Sequence, residues 1–485
     1  MAMACVFVPT DDVEALCLSW LAQQDEEDRP VVLLSAGPVS EDARWCILAR
    51  APSIRIEGTM DAAMGGRFTV TDATAEGARY EPMSRLFDVL RAIERERAAP
   101  GGEARAPGLP FERGWLGAMG YDLAWHFEYG LPRYRARATE LPDLHLGWFD
   151  DALVVDRSTG AVHGQARAVE GFAALSTAPV DLRFSAAALQ SRFHREDYEA
   201  AVERVRQHCL IGDIFQADLT RRIDFAFEGD ARAVFARLVE RSPAAYMAYV
   251  GLGPGRAVVS ASPEEFLKLE DRRLRSQPIK GTRRRADDVA RDRALRDELL
   301  ASEKDSAELT MIVDLVRNDL GRVAEVATVE VHGFPTLVEL PQVWHLVAEV
   351  RARLEVGKDI WDVVGASFPP GSIVGAPKPK ALEILERVER SRRGFYTGTI
   401  GYVDPQKGAH FNVAIRTAEF CDGVLRVGVG GGITALSVPS EEFEETCDKA
   451  RGFLLALGAR EAGVPVEGGS GSSGSAREGS DEAAS

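Results

Sequence analysis

The chain has 485 residues, 45% of them hydrophobic, enough to bury a large core, and length alone suggests about three domains. Fifty-eight basic against 75 acidic side chains leave a net charge of −17, which argues against non-specific binding to nucleic acid or to an anionic membrane over the whole surface. Any anionic ligand must be held by local groups. Six cysteines (Cys5, Cys17, Cys46, Cys209, Cys421, Cys447) form no Cys-x-x-Cys pair, which disfavours a zinc site or a disulfide framework and fits reduced thiols in the cytoplasm. The first residues carry no basic region followed by a long apolar run, and no later window approaches about eighteen uninterrupted apolar residues. Neither export nor a membrane span is expected.

Residues 1–180 alternate short strands and helices: 30–36 and 45–49 read as strands, 82–97 as a helix, and 148–156 as one strand closing on a turn at Ser158-Thr159-Gly160. The segment 113–122 is glycine-rich without the spacing of a dinucleotide loop, and a packed strand with close backbone approach accounts for it. Residues 169–192, rich in Ala and Ser, read as a linker or surface crossover. No chemical motif stands out in this third.

From Arg195 the signal sharpens. Tyr198, Val202, Val205 and Cys209 recur at helical spacing, with Gly212 placed to end the helix in a left-handed turn. In the strand that follows, period two puts Gln216, Asp218, Thr220 and Arg222 on one face and Ala217, Leu219 and Ile223 on the other, so the polar face meets either solvent or a ligand. Residues 257–262 and 274–277 read as strands, with Glu264 at a turn, where a carboxylate is usually exposed. They lead into Gln277-Pro278-Ile279-Lys280-Gly281-Thr282-Arg283. Lys280, between residues that stiffen and turn the chain, is either a solvated turn lysine or a nucleophile. A nucleophilic amine must be unprotonated, and Arg283, Arg284 and Arg285 are cations close in sequence that could lower its pKa. The charged helix 287–301 reads as a solvated face.

The helix 303–318 is the most informative. Counting about 100° per residue from Asp305, Glu308 falls at about −60°, Leu309 at about +40° and Ile312 at about −20°, so both acids lie in the apolar arc. Carboxylates there must be paired, protonated or bound to a metal, and an i, i+3 acidic pair points two oxygen ligands the same way. A second such pair, Glu442 and Glu445, follows Pro439-Ser440. Here Ser440 can cap the helix and first-turn acids complement its dipole, while two acidic pairs on separate helices also suit Mg²⁺. Two glycine-rich loops complete the pattern: residues 368–378, running into a helix at 379–388 whose free N–H groups could hold an anion, and Gly428-Val429-Gly430-Gly431-Gly432 after a strand. Residues 464–485, rich in Gly and Ser, read as a flexible tail.

From Arg195 to Leu457 the chain resembles the chorismate-utilising enzymes, a family that comprises anthranilate synthase component I, aminodeoxychorismate synthase component I, isochorismate synthases and salicylate synthases. The resemblance rests on Gly-Asp-Ile-Phe-Gln (212–216), Pro-Ile-Lys-Gly-Thr (278–282), Met-Ile-Val-Asp-Leu-Val-Arg-Asn-Asp-Leu-Gly-Arg-Val (311–323), Gly-Ser-Ile-Val-Gly-Ala-Pro-Lys (371–378) and Gly-Gly-Gly-Ile (430–433), in the family's order. It implies a single large α/β (α+β) fold of two interleaved subdomains, with mixed or antiparallel sheets flanked by helices around a central cleft. Residues 1–170 would form the N-terminal part of that fold and 190–460 the chorismate-binding catalytic region. It also implies Mg²⁺ held by Asp305, Glu308, Glu442 and Glu445, with Glu264 as general base and His345 beside the departing hydroxyl. Gln216, Thr282, Ser372, Tyr402, Arg416, Gly430, Gly431, Gly432 and Lys449 would bind chorismate.

Two positions discriminate within the family. Members that add water to chorismate resemble one another in carrying lysine where this chain has Gln216, so the resemblance points to amination. Lys280 resembles the aminodeoxychorismate synthases, where that lysine attacks C2 before ammonia enters at C4, whereas anthranilate synthases carry alanine there. The implied partners are chorismate, a separate glutamine amidotransferase that supplies ammonia, and an aminodeoxychorismate lyase downstream in 4-aminobenzoate and folate synthesis. The chain itself lacks the cysteine-centred motif that glutamine hydrolysis needs. Arg284, Pro370 and Asp218 depart from the residues commoner in the family, namely proline, glycine and asparagine.

Overall fold

The computed structural model describes residues 3–60, 65–75, 77–97, 108–128, 141–178, 182–189, 193–339 and 343–459; the tail expected at 464–485 lies outside them. The described strands form two antiparallel sheets of twelve strands each. Both sheets draw on both parts of the chain. The first sets Met3–Phe7, Ala161–Gln165, Leu153–Asp156, Trp45–Ala49 and Val31–Leu34 beside Tyr246–Gly253, and ends on Val424–Ile433, Gln216–Gly229 and Phe184–Ala188. The second runs from Ile279–Arg284 through Val343–Arg353 and Thr399–Asp404 to Gly114–Met119 and Ala78–Pro82. This is the interleaved arrangement expected of the fold.

Strand alternation explains the layering. Val31, Ile47, Ala248, Val250 and Val258 of the first sheet meet Leu116, Ala118, Ile400 and Tyr402 of the second in a core between the sheets. Their neighbours Val32, Leu34, Cys46 and Leu48 point the other way, onto the helices Val13–Ala22, Ala231–Arg241 and Pro439–Leu457. The second sheet is covered in turn by helices that include Leu86–Arg97, Glu303–Gly321, Ile360–Ser367 and Lys378–Val388. Strands buried on both faces read as continuous apolar runs, and each fully buried Val, Leu or Ile contributes about 1.5–3 kcal/mol. Among the described residues no helix is long and apolar enough to cross a membrane.

Two local expectations change, and one open alternative is decided. The run 148–156 is two strands, Leu144–Phe149 in the second sheet and Leu153–Asp156 in the first, because the chain crosses between sheets at 150–152. Both halves are apolar, so hydrophobicity alone does not mark the crossing. The stretch 169–192 includes part of the helix Ala166–Ala173 and the strand Phe184–Ala188, which pairs with Gln216–Gly229. The polar face of Gln216–Gly229 does not meet solvent: Gln216, Asp218 and Thr220 are buried. The glycine-rich segment is a packed strand, as expected. A side chain at Gly114 would collide with the Val403 carbonyl, and one at Gly117 with that of His145.

Candidate active site

Five elements meet around Lys280. Gln216–Gly229 pairs with Val424–Ile433, so Asp218 lies opposite Gly432 and Thr220 opposite Gly430. Ile279–Arg284, at the edge of the second sheet, pairs with Val343–Arg353 through an irregularity at Gly281, which brings Thr282 opposite His345. Gly281 has a φ of +81°, and a side chain there would press on Asp305 and Leu299. Lys280 is therefore part of a strand, not a free turn. The turn after the helix Arg195–Leu210 uses Gly212 at φ +83°, and Phe215 N then donates to Ala376 O, tying Gln216 to the loop that carries Ser372.

Lys280 Nζ donates to the Ser372 carbonyl at 3.1 Å and lies 3.7 Å from Asp218 Oδ1. Burial would lower its pKa, but the carboxylates of Asp218, Glu308 and Glu264 outweigh burial and hold it above the ordinary lysine value. The expected lowering by neighbouring arginines does not occur. Arg283 turns to Glu298 at 2.7 Å and Asp305 at 3.4 Å, and Arg285 to Asp292 at 2.8 Å and Glu339 at 2.7 Å. Residues adjacent in a strand point to different faces, and the acids that matter come from three distant elements.

Glu264 is buried, not exposed as a turn carboxylate usually is. Burial pushes it up to about 7 against hydrogen bonds from the Ser372 side chain and Ile279 N and the charge of Lys280, so near neutral pH it can both give and take a proton. His345 is pulled down to about 4, first by burial and then by the charge of Arg416, and is neutral at physiological pH. Its Nδ1 lies 2.9 Å from Thr282 Oγ, while its Nε2 is buried without a hydrogen-bond partner among the described residues. Burial alone lowers the pKa of Arg416, whose guanidinium has no paired carboxylate among the described residues. A desolvated, uncompensated guanidinium is a receptor for an anion.

The two acidic pairs converge on the same cleft. Burial pushes Glu308 up to about 7 against Lys280 and Lys304. Glu442 is buried, its Oε2 has no hydrogen-bond partner among the described residues, and Lys304 approaches it at 4.0 Å. Lys449 sits 2.7 Å from Glu445, depresses that carboxylate, and donates to the Gly430 carbonyl at 2.8 Å. A side chain on Gly431 would stand 3.3 Å from Glu442 and 3.6 Å from Glu445, so its absence leaves the pair open. Among the described residues no three His, Cys, Asp or Glu side chains already converge as metal ligands. The set nevertheless fits Mg²⁺, which binds through one or two carboxylates and fills its remaining positions with water and substrate oxygens. The helix that carries Glu442 begins at Pro439 with Val438 as its N-cap, so Ser440 does not cap it.

Tyr402 does not join these residues. It lies between the sheets, 5.6 Å from Phe111 and 6.3 Å from His410, lining a separate cavity of about 340 Å³ with Lys407 and Met247. The tyrosine near the cleft is Tyr396. It packs against Gly428, where any side chain would collide with its ring, and burial raises its pKa against the charge of Arg393, with Asp218 and Glu389 adding to the rise. The run Phe395-Tyr396-Thr397-Gly398, which turns into the strand Thr399–Asp404, was the available signal. Also absent from the sequence reading is Arg393, buried, which donates to the Asp218 and Ile373 carbonyls and to Glu389 and so binds the cleft's strand to its loop.

A largely buried lysine, two glutamates raised to about 7, an uncompensated guanidinium and paired carboxylates in one cleft suit an enzyme that acts on a small anionic substrate. The chain belongs to the chorismate binding enzyme family, whose model matches residues 55–455. It is 38% identical over 378 residues to aminodeoxychorismate synthase component 1 of Salmonella typhimurium, covering 77% of this chain and 83% of that one. It is equally 38% identical over 387 residues to anthranilate synthase component 1 of Streptomyces coelicolor, covering 74% and 76%. The crystal structure of anthranilate synthase component I from Streptococcus pneumoniae superimposes with a TM-score of 0.67 at 25% identity, over 86% of this chain and 93% of that one.

Proposed function

We propose that the protein is an aminodeoxychorismate synthase component I, which converts chorismate and ammonia to 4-amino-4-deoxychorismate in the cytoplasm. The observation that carries this reading is Lys280, an amine withdrawn from water and facing Asp218, Glu308 and Glu264 in the cleft. In this reading Arg416 takes a substrate carboxylate, and Ser372, Thr282 and Gly430 to Gly432 shape the rest of the pocket. Neutral Lys280 forms a bond from Nζ to C2 while the C4–O bond breaks. Glu264 in its acid form protonates the departing hydroxyl, beside which neutral His345 stands. Ammonia then attacks C4, the C2–N bond breaks to release the lysine amine, and Glu264 recovers its proton from the new ammonium. Atoms balance: chorismate and ammonia give product and water.

Mg²⁺, held by Glu442 and Glu445 with Asp305 and Glu308, would supply positive charge for a substrate carboxylate. Gln216 carries no basic group, so water at that position would lack a general base. Ammonia would come from a separate glutamine amidotransferase, and an aminodeoxychorismate lyase would take the product on toward 4-aminobenzoate. The equal identity to an anthranilate synthase component 1 favours anthranilate synthase as the second reading. The test is Lys280→Ala, incubated with chorismate, Mg²⁺ and ammonium. Loss of 4-amination with retained chorismate binding supports the nucleophile, and undiminished 4-amination contradicts it.

A further inference from the structure

Lys280 must shed a proton before it can attack, yet its surroundings hold that proton in place. Glu264 is committed to the departing hydroxyl, so another group must take that proton. The charged groups around Lys280 include Asp218, Glu308, Glu264, Lys449 and Glu445, the last paired with Lys449. Glu308 belongs to the acidic pairs, and Lys449 is itself a cation bound to Glu445 and the Gly430 carbonyl.

Asp218 is differently placed. It is buried, its Oδ1 lies 3.7 Å from Lys280 Nζ, and its Oδ2 accepts from Gln216 Nε2 at 3.5 Å. Its backbone is fixed on both sides, with Asp218 N donating to Val374 O at 2.9 Å and Asp218 O accepting from Arg393 Nη2 at 2.6 Å. Across the strand pair stands Gly432, where a side chain would strike the Gln216 amide and crowd Asp218. The carboxylate is therefore aimed at Lys280 by a rigid frame and has one oxygen left for it.

We propose that Asp218 is the positioning residue of Lys280: one oxygen orients Gln216, while the other holds Nζ beside the Ser372 carbonyl and accepts the proton that Lys280 loses before its nitrogen bonds to C2. The proton passes from the ammonium to the carboxylate, leaving a neutral amine and a carboxylic acid, and returns when the lysine is released. The inference rests on the nucleophile reading of Lys280 and adds its proton acceptor.

The test is Asp218→Asn, which keeps the shape and an oxygen for Gln216 but not the charge. Wild type and variant are incubated with chorismate and Mg²⁺ without ammonium, and the adduct on the peptide containing Lys280 is followed by quenched-flow mass spectrometry across pH 7–11 (roughly the interval up to and around an ordinary lysine value). Lys280 is titrated separately, by NMR of the isotopically labelled amine in the folded protein. The expected result is adduct formation slowed by about 100-fold, the scale of a lost proton acceptor, together with a lower Lys280 pKa. An unchanged adduct rate, or a faster one at neutral pH, overturns the inference, because Asp218 would then be a spacer or a brake. An unshifted lysine pKa likewise overturns it. Absence of any adduct in the wild type overturns the nucleophile reading, and the inference with it, which separates the two failures.

Discussion

Lys280 and Lys378 are both withdrawn from water, 14% and 4% exposed, in regions built for opposite ends. An ammonium has three protons to donate. Lys378 places all three, on Asp319 at 2.8 Å, the Ser367 carbonyl at 2.8 Å and the Pro369 carbonyl at 3.1 Å. Among the described residues Lys280 makes one hydrogen bond, to Ser372, and a longer approach to Asp218. The saturated lysine closes the loop that presents Ser372 onto the far end of the helix whose first turns carry Asp305 and Glu308. The unsaturated one keeps valence for a ligand. The same chemical group serves as scaffold where its bonds are complete and as chemistry where they are not.

The sharpest way to break this contrast is to remove each lysine in turn. Lys378→Met should cost about 3–5 kcal/mol, because buried Asp319 then keeps only the half-exposed Arg322 at 3.1 Å, and the Ser367 and Pro369 carbonyls lose their donor. Urea denaturation reads this directly. Lys280→Met should change stability by less than about 1 kcal/mol while removing turnover, as its neighbours face a cleft. Equal destabilisation by both would erase the distinction.

Next in size, Glu308→Gln and Glu445→Gln should each abolish Mg²⁺-dependent turnover and leave the fold intact, with Glu308→Gln no less stable than wild type, since a charge leaves a half-buried position. Full activity of either variant in chelator-treated buffer would remove the metal assignment.

A smaller effect concerns pH. The carboxyls of Glu264 and Glu308 are raised to about 7, so the folded state binds more protons than the unfolded state between the ordinary glutamate value and that point. Their contribution to stability is fully present below the unfolded pKa and is lost as pH rises toward 7. His345, lowered to about 4, acts oppositely, its contribution being lost as pH falls from the ordinary histidine value toward 4. Glu264→Gln should therefore flatten the decline in urea midpoint between pH 5 and pH 8 (roughly the window set by those values), and an unaltered decline would show that Glu264 titrates normally.

The smallest effect separates the two tyrosines. Tyr396→Phe should weaken chorismate use by roughly tenfold if its hydroxyl reaches the substrate, whereas Tyr402→Phe should leave it within about twofold. Equal effects would contradict the placement of Tyr402 in the separate cavity.

What was legible in the sequence follows from distance along the chain. The helix carrying Asp305 and Glu308 announced itself because period 3.6 placed two acids among Leu309, Ile312 and Val316, and the glycine-rich strand did so because only close backbone approach explains its composition. The electrostatics of Lys280 were not legible. Arg283 and Arg285 are its neighbours in sequence but face Glu298 and Asp292, while Asp218, Glu264 and Glu308 reach it only through the pairing of the two sheets with their helices. Tyr402 entered as a pocket residue through the resemblance alone, and only the fold shows that it faces the space between the sheets while Tyr396, on the same short stretch, faces Gly428.

The central claim, that Lys280 directs ammonia to C4, is tested most directly by the product of the unmodified chain. The purified protein is incubated with chorismate, Mg²⁺ and ammonium at high pH, where free ammonia is abundant, and assayed with and without added aminodeoxychorismate lyase. The account predicts 4-aminobenzoate that depends on the lyase, no pyruvate before the lyase is added, and no anthranilate. Anthranilate with stoichiometric pyruvate, and no lyase-dependent 4-aminobenzoate, would contradict it.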